Sequence, residues 1–180
     1  MIRPAALAAL LSGSLLAAVL AVTLTPHAAV RQGLVPRPPD AQPVFVREVL
    51  SGDTVVVSNP RSGPQIVDLG DVTARLIGVQ APHFGLINEC YAVEAQGRLR
   101  QLLPEGSIAW LAQDATAKDD NGRWLMYVWT SDGEFVNLAL ASEGFVTAGV
   151  TYDNDEHFAA IAQSTEQAFR RNAGLWGECR

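Results

Sequence analysis

The stretch that decides the fold is VFVREVLSGDTVVVS, residues 44–58. Valine-rich runs lie on either side of a short Ser-Gly-Asp segment, and a turn of this kind between two β-prone runs predicts a β-hairpin. Residues 65–69 and 72–79 continue the β pattern, and the second run places Arg75 between apolar neighbours. The folded part of the chain is therefore predicted to begin with β-strands.

Mixed segments follow this β start. Residues 91–103 carry apolar side chains at helical spacing, and residues 107–113 and 123–130 are predicted as two strands joined by a turn that contains Asn-Gly. Residues 138–143 and 155–172 are predicted as two further helices. Five strands and three helices in this order predict an α+β, mainly β, fold: a five-stranded Greek-key barrel of the OB type with helices packed on it.

Polar residues and glycine mark the ends of the last two predicted helices. Asn137 is predicted to cap the first, Asp153 or Asn154 to cap the second, and Gly174 to end it. His157 lies in the first turn of the second helix, where a cation is not favoured, and is interpreted as a solvated surface residue.

Residues 1–30 form a separate region. Residues 5–24 are almost wholly apolar, and Arg3 is the only charged residue before Arg31. This pattern indicates a secretory signal peptide or an N-terminal membrane anchor. Either interpretation predicts a secreted or extracytoplasmic protein, attached to the membrane through residues 5–24 if the segment is retained.

A proline-rich polar stretch separates this region from the folded part. Residues 31–43 are predicted to be a linker without structure of its own. The folded domain is then expected to cover residues 44–180, in which no internal repeat is found.

The two cysteines agree with export. Cys90 and Cys179 are the only cysteines of the chain, and such a pair outside the reducing cytoplasm predicts a disulfide. The bond would close a loop of roughly 90 residues, which corresponds to on the order of 4 kcal/mol by loop entropy. A free reactive thiol or a metal-binding role is the alternative.

The charge balance is unfavourable for binding a polyanion. The formal net charge is -6 at pH 7, whereas proteins that hold nucleic acid usually present a basic field to the phosphates. A basic groove confined to one part of the surface remains compatible with this balance.

Three segments supply side chains suited to a metal ion and a phosphate: SGDT at 51–54, ARLIGVQAPH at 74–83 and DDNGRWLMY at 119–127. They contain one carboxylate, Asp53, and two guanidinium groups, those of Arg75 and Arg123.

Simpler interpretations of these three residues stay open. Asp53 is also a common turn former, and Arg123 can pair with Asp119 or Asp120 on the surface. A guanidinium on a strand between apolar neighbours requires a partner, so Arg75 and Asp53 can form a salt bridge that is purely structural.

Five segments in order resemble the staphylococcal-nuclease-like (thermonuclease) family over residues 44–179: SGDT, ARLIGVQAPH, CYAVEAQGRL, DDNGRWLMYVWTSDGEFVNLALASEGF and EQAFRRNAGLW. The resemblance implies an OB barrel that carries a secreted, calcium-dependent nuclease acting on DNA or RNA.

The resemblance also implies roles for individual residues. Asp53 matches the metal-ligating aspartate of the GDT motif, Arg75 the strand arginine that holds the scissile phosphate, and Arg123 the arginine after the Asn-Gly turn. Tyr152 matches one of two tyrosines that flank the bound nucleotide. The other tyrosine position is occupied by Val150, so the stacking wall is half built.

Three further positions, besides Val150, depart from the family pattern. Gln80 occupies the place of a second metal-ligating aspartate, His83 that of the glutamate regarded as the general base, and Ser51 that of an aspartate in the first turn. Calcium affinity follows the number of charged ligands, so weak Ca²⁺ binding is expected. Loss of a general base typically costs about 10² to 10⁴ in rate.

Two functions are consistent with these residues. In the first, the site is degenerate, has little or no nuclease activity and needs no cofactor, and the domain binds nucleic acid, a nucleotide, an oligosaccharide or a protein partner at the cell surface. In the second, it is an active divalent-metal-dependent nuclease that hydrolyses phosphodiester bonds in DNA or RNA, with His83 as a substitute base. The sequence assigns no protein partner.

Overall fold

A computed structural model describes residues 35–59 and 70–179. The predicted signal or anchor at 1–30 and the predicted strand at 65–69 lie outside these residues. No helix within the described ranges is both long and apolar enough to cross a membrane.

Five strands close into a barrel, and two shorter strands pair beside it. The strands are β1 (Gln42–Ser51), β2 (Thr54–Ser58), β3 (Asp71–Leu76), β4 (Val79–Gln80), β5 (Ile108–Ala112), β6 (Trp124–Trp129) and β7 (Thr147–Ala148). The barrel order is β1-β2-β3-β6-β5, and β4 pairs with β7. The predicted fold class, a mainly β five-stranded barrel of the OB type, is confirmed.

The helices are α1 (Ala92–Leu102), α2 (Val136–Glu143), α3 (Phe158–Arg170) and α4 (Leu175–Glu178). The first three correspond to the predicted helices. The one-turn α4 was not predicted, because Gly174 was expected to end the third helix. Instead α3 ends at Arg170, and Gly174 precedes α4 with φ 56°.

The strand register brings three segments to one end of the barrel. β2 and β3 are antiparallel with Thr54 opposite Arg75, so the turn that carries Asp53 adjoins Arg75. β3 and β6 are parallel with Ala74 opposite Trp124, which places Arg123 next to the same end. The strand pairing itself therefore brings Asp53, Arg75 and Arg123, which are distant in sequence, to one end of the barrel.

The barrel interior is filled by the inward side of every strand. Val44, Val46, Val55, Val57 and Leu111 are all completely buried, as expected from the alternation of side chains along a strand. Burial of such side chains supplies the main favourable free energy of folding, about 1.5–3 kcal/mol each.

Asn137 does not cap α2, as had been predicted, but lies inside the helix and is fully buried. Its Oδ1 accepts a hydrogen bond from the Val128 backbone N at 3.0 Å, and its Nδ2 donates to the Ile77 carbonyl at 2.9 Å. A buried amide must be satisfied, and here it joins α2 to the barrel. The helix begins after Phe135 instead.

His157 is not a solvated surface residue. Only 16% of its side chain is exposed, and its ring centroid lies 4.6 Å from that of Tyr127 and 5.1 Å from that of Phe135. It is the residue that precedes α3, which starts at Phe158, so neither Asp153 nor Asn154 caps the helix. The buried Asn154 instead accepts from the Thr116 backbone N at 2.7 Å.

The described part of the predicted linker, residues 35–43, is structured. β1 begins at Gln42, the Trp129 Nε1 donates to the Val35 carbonyl at 3.1 Å, and the Arg37 guanidinium lies 3.7 Å from the Trp110 ring centroid. The prediction of an unstructured linker is therefore wrong for residues 35–43, because they contact tryptophan side chains of β5 and β6. The outer domain boundaries stay a prediction.

Cys90 and Cys179 form a disulfide with Cα atoms 5.8 Å apart, as the cysteine pair predicted. The bond joins Cys90, two residues before the start of α1, to Cys179, the residue just after α4. The C-terminal segment is thereby fastened beside the loop that leads into α1.

Candidate functional site

An open cleft of about 380 Å³ lies at the end of the barrel where the register gathers the three segments. Its polar wall consists of Ser51, Asp53, Thr54, Arg75, Gln80 and Arg123, and its apolar wall of Leu50, Pro82 and Phe84. His83 also lines it. The cleft thus brings together the predicted site residues except Tyr152, which lines an adjoining smaller cleft.

Asp53 is the carboxylate of this cleft, and only 5% of the residue is exposed. Its Oδ1 accepts hydrogen bonds from Ser51 Oγ and Thr54 Oγ1, both at 2.9 Å. Its Oδ2 accepts from the Ala81 backbone N at 2.6 Å and lies 2.9 Å from Arg75 Nη1. Three hydrogen bonds and one ion pair therefore engage both oxygens of the carboxylate.

Gly52 explains why the turn before Asp53 holds this geometry. A Cβ atom at this position would lie 2.6 Å from the Ala95 Cβ and 2.8 Å from the Ala81 Cβ. Only glycine allows α1 and the segment after β4 to approach the turn this closely. The close approach packs small residues against the turn and fixes the Asp53 backbone.

Arg75 is held inside the protein rather than presented to solvent. Its side chain is 12% exposed, its Nη1 donates to the Val79 carbonyl at 3.0 Å, and its Nη2 donates to Gln80 Oε1 at 2.8 Å. Burial lowers the pKa of Arg75, while the charge of Asp53 acts in the opposite direction. The sequence-based expectation that Asp53 is its partner is confirmed.

Gln80 joins the same network as a neutral acceptor. Its Oε1 faces Arg75, and its Nε2 donates to the Ala81 carbonyl at 3.1 Å. The pairing of β4 with β7 holds the Gln80 backbone against Thr147. The amide oxygen that Gln80 would offer to a cation is thus already engaged by a guanidinium.

Arg123 makes a second ion pair at the other side of the cleft. Its Nε donates to Asp119 Oδ2 at 2.7 Å, and the side chain remains 33% exposed. Asp119 also accepts from the backbone N of Asn121 at 3.0 Å and of Arg123 at 2.9 Å. Burial alone would raise the pKa of Asp119, but these bonds outweigh it and lower that pKa below its usual value.

The terminal amino groups of Arg123 have no hydrogen-bond partner among residues 35–59 and 70–179. Arg123 lines both the main cleft and the smaller one. A guanidinium edge with free donors matches the geometry of a phosphate. Arg123 is therefore the side chain of this site best prepared to receive an anion.

His83 lies at the rim and is exposed. Its backbone N donates to Glu89 Oε2 at 2.7 Å, and its carbonyl accepts from the Glu89 N at 2.9 Å. The structure therefore leaves its imidazole at the edge of the cleft, consistent with either a substitute base or an idle surface residue.

Tyr152 lies in the adjoining cleft of about 90 Å³, which shares Arg75, Gln80 and Arg123 with the main one. The residue is 37% exposed and adopts φ 53°. Val150, 71% exposed, lines the same cleft. One aromatic face is available next to Arg123, and an aliphatic side chain occupies the facing position.

Sequence reasoning missed the residues that complete the Asp53 network. Thr54 Oγ1 and the Ala81 backbone N had not been singled out, although Thr54 directly follows Asp53 and Ala81 directly follows Gln80. It also missed the apolar wall of Leu50 and Phe84, whose only sequence signal is an apolar residue next to each polar motif.

The residues of the cleft do not fit a calcium ion well. Ca²⁺ takes six to eight oxygen ligands and favours several carboxylates, whereas the cleft offers Asp53 alone, with both oxygens engaged. Gln80 Oε1 is engaged by Arg75. Within the part of the chain that the structure describes, no group of three His, Cys, Asp or Glu residues is arranged to hold a metal ion.

Comparison with known proteins agrees with this geometry. The family described as "Staphylococcal nuclease homologue" matches residues 73–178. A thermonuclease from Staphylococcus intermedius is 31% identical over 135 residues, which cover 73% of this chain and 74% of the relative.

A second similar protein is the endonuclease YhcR of Bacillus subtilis (strain 168). It is 28% identical over 156 residues, which cover 79% of this chain but only 12% of that protein. This chain therefore corresponds to one small part of the larger relative.

Proposed function

The chain belongs to the staphylococcal nuclease homologue family, and we propose that it uses the cleft to hold a phosphate group of nucleic acid or a nucleotide while cleaving phosphodiester bonds weakly or not at all. Its role is then that of an exported binding module. The names of the relatives describe nucleases, which supports nucleic acid as the class of ligand.

One observation carries the proposal: among the described residues that line the cleft, Asp53 is the one carboxylate, and both of its oxygens are engaged by the protein itself. Asp53 receives two hydroxyl groups, one backbone N–H and the Arg75 guanidinium. To bind a cation, it would have to give up some of these bonds. With Gln80 neutral, a single negative charge would remain to repay that loss.

The two arginines have different tasks under this proposal. Arg75 supplies a positive charge to the cleft, but its guanidinium is already paired with Asp53 and bonded to Val79 and Gln80. The terminal amino groups of Arg123, which have no partner among the described residues, make the direct contact with phosphate. Tyr152 offers a face for a base or sugar beside it.

An active metal-dependent nuclease is the second candidate, and a specific observation favours it. Asp53, Arg75 and Arg123 line one cleft, and both donors to Asp53 Oδ1 are hydroxyl groups that can rotate away. His83 lines the same cleft, and an imidazole is a side chain that can act as a general base. This candidate requires no change of backbone.

Cleavage of single-stranded DNA by the purified protein, with Ca²⁺, with other divalent ions or with chelator, decides between the two. We expect no calcium-dependent turnover above that of the buffer. Calcium-dependent turnover that Asp53→Ala abolishes would instead establish the nuclease.

A binding measurement tests the positive half of the proposal. Anisotropy of a labelled oligonucleotide should report binding to the unaltered protein and a loss with Arg123→Ala. Arg170→Ala is the matched control, because Arg170 is an exposed arginine on α3 paired with Glu166. Equal loss in both variants, or no binding by the unaltered protein, would contradict the proposal.

Export remains part of the proposal. The apolar segment 5–24 supports a signal or anchor, and the disulfide Cys90–Cys179 supports an oxidising compartment. Mass spectrometry of the mature protein separates the cases, because loss of roughly the first 29 residues indicates a released protein.

A further inference from the structure

The loop at residues 83–89 presents two large apolar side chains to solvent. Leu86 has a relative exposure of 107% and Ile87 of 85%. Single exposed apolar residues are ordinary on protein surfaces. These two are neighbours on one loop, and that loop continues directly from the wall of the cleft.

The loop is fastened by its own hydrogen bonds. Glu89 bonds to the backbone of His83 through both its N and its carboxylate, at 2.9 and 2.7 Å, and the Gly85 N donates to Asn88 Oδ1 at 3.0 Å. The disulfide of Cys90 follows at once. The backbone that carries Leu86 and Ile87 is therefore held in place by these bonds. Because both side chains are exposed, they do not stabilise the folded state by burial.

The apolar surface is continuous with the cleft. Pro82 and Phe84 form part of the cleft wall, and Leu50 faces them. Two residues of extended chain span at most about 7 Å, so Leu86 lies within that distance of Phe84 along the chain. A polymer that is held by a phosphate in the cleft and leaves it past Phe84 would next meet the loop that carries Leu86 and Ile87.

The charges near the loop restrict what can lie there. Residues 76–97 contain no lysine or arginine, and they include Glu89 and Glu94. A phosphate backbone or an anionic lipid surface gains no ion pair from the residues of this stretch itself. The exposed faces of unpaired bases are uncharged and apolar enough to cover two aliphatic side chains.

We propose that Leu86 and Ile87 form a platform that contacts unpaired bases of a strand whose phosphate is held at Arg75 and Arg123. The inference rests on the proposed function, since it requires a nucleic acid in the cleft. A duplex keeps its bases stacked inside and cannot offer their faces to this platform. The platform therefore gives an acidic protein a source of affinity that does not depend on charge.

The test compares the Leu86→Ser/Ile87→Ser double variant with the unaltered protein. The probes are a short labelled oligodeoxythymidylate, a hairpin duplex with the same number of phosphates, and deoxythymidine 5′-monophosphate measured by calorimetry. We expect the double variant to bind the oligodeoxythymidylate about tenfold more weakly and the monophosphate unchanged. Ile108→Ser is the matched control, because Ile108 is 43% exposed on β5, and it should change neither affinity.

The remaining outcomes are separable. If the unaltered protein binds the single strand and Arg123→Ala weakens it, but the double variant binds normally, the platform is wrong and the proposed function stands. Equal weakening for the duplex also overturns the platform. If the unaltered protein binds neither probe, both proposals fail, and loss of binding to phosphatidylglycerol vesicles in the double variant would assign the loop to a membrane instead.

Discussion

The two Arg–Asp pairs of the cleft have the same chemistry and different surroundings. The Arg75–Asp53 pair is buried on both sides, with side-chain exposures of 12% and 7%, whereas Arg123 is 33% exposed over a buried Asp119. Arg75 is engaged by Asp53, Gln80 and backbone carbonyls. Among the described residues, the side chain of Arg123 forms a hydrogen bond through Nε alone.

This difference separates a pair that holds the fold from one that is free to bind. A buried charge without its partner is costly, so the first pair must persist for structural reasons even where catalysis is lost. The second pair fixes the Arg123 side chain at one edge and leaves the other edge open. Retention of both arginines in a sequence is therefore not by itself a sign of nuclease activity.

Removal of the Asp53 carboxylate should have the largest effect. Asp53→Ala leaves the Arg75 guanidinium and the Ala81 N–H buried without their acceptor, which typically costs about 3–5 kcal/mol of unfolding free energy. Urea denaturation measures the loss. Asp71→Ala is the control, because Asp71 pairs with Arg47 at more than half exposure and should cost under about 1 kcal/mol; similar losses in both would remove the distinction drawn here.

Removal of the Asp119 carboxylate should cost less, about 1–3 kcal/mol. Asp119→Ala frees two backbone N–H groups, those of Asn121 and Arg123, but Asn121 lies in an exposed turn where water can reach. The neighbouring Asp120→Ala should change stability by less than about 0.5 kcal/mol. If Asp119→Ala proved more damaging than Asp53→Ala in the same urea series, the assignment of the structural pair would have to be reversed.

Removal of the Arg123 guanidinium should affect binding rather than folding. Arg123→Ala is expected to weaken binding of a single-stranded oligonucleotide about tenfold or more, with a change in unfolding free energy under about 1 kcal/mol. Anisotropy and urea denaturation on the same samples give both values. A large loss of stability with unchanged affinity would make Arg123 structural.

Mild acid should distinguish the pairs through Asp119. The pKa of Asp119 is lower in the folded protein than its usual value, so its contribution to stability is fully present above about pH 4 and is lost as the pH falls through the folded pKa. Between pH 7 and 3, the midpoint temperature of thermal unfolding should therefore fall less steeply for Asp119→Asn than for the unaltered protein. Parallel curves would show that the carboxylate is not the cause.

Much of the barrel could be predicted because local patterns and tertiary packing agree there. The valine-rich runs around Asp53, the Asn-Gly turn before Arg123 and the helical spacing in α1 all appear where the sequence indicated. The Arg75–Asp53 pair also followed from sequence, since a guanidinium on an apolar strand requires an acceptor.

The errors arose where distant contacts decided the outcome. Asn137 looks like a helix cap, yet it is buried against β6, and His157 looks like a surface residue, yet it packs on Tyr127. The close approach at Gly52 was also not predicted, because α1 packs on the first turn through Ala95, which no local pattern reveals.

Saturation of the Asp53 carboxylate also lay beyond the sequence. The substitution at Gln80 is visible in the sequence, but that its amide oxygen faces Arg75 depends on the antiparallel pairing of β4 with β7. Weak Ca²⁺ binding could therefore be predicted from the number of charged ligands alone. That the Asp53 oxygens and Gln80 Oε1 are already engaged could be seen only in the structure.

Calcium titration by calorimetry, on the unaltered protein and on Gln80→Asp/His83→Glu, shows whether the cleft can bind Ca²⁺ while the Asp53 carboxylate is engaged by the protein. We predict binding weaker than about 1 mM for the unaltered protein and at least tenfold tighter binding for the double variant, which restores two acids. Submillimolar binding by the unaltered protein, abolished by Asp53→Ala, would contradict the account.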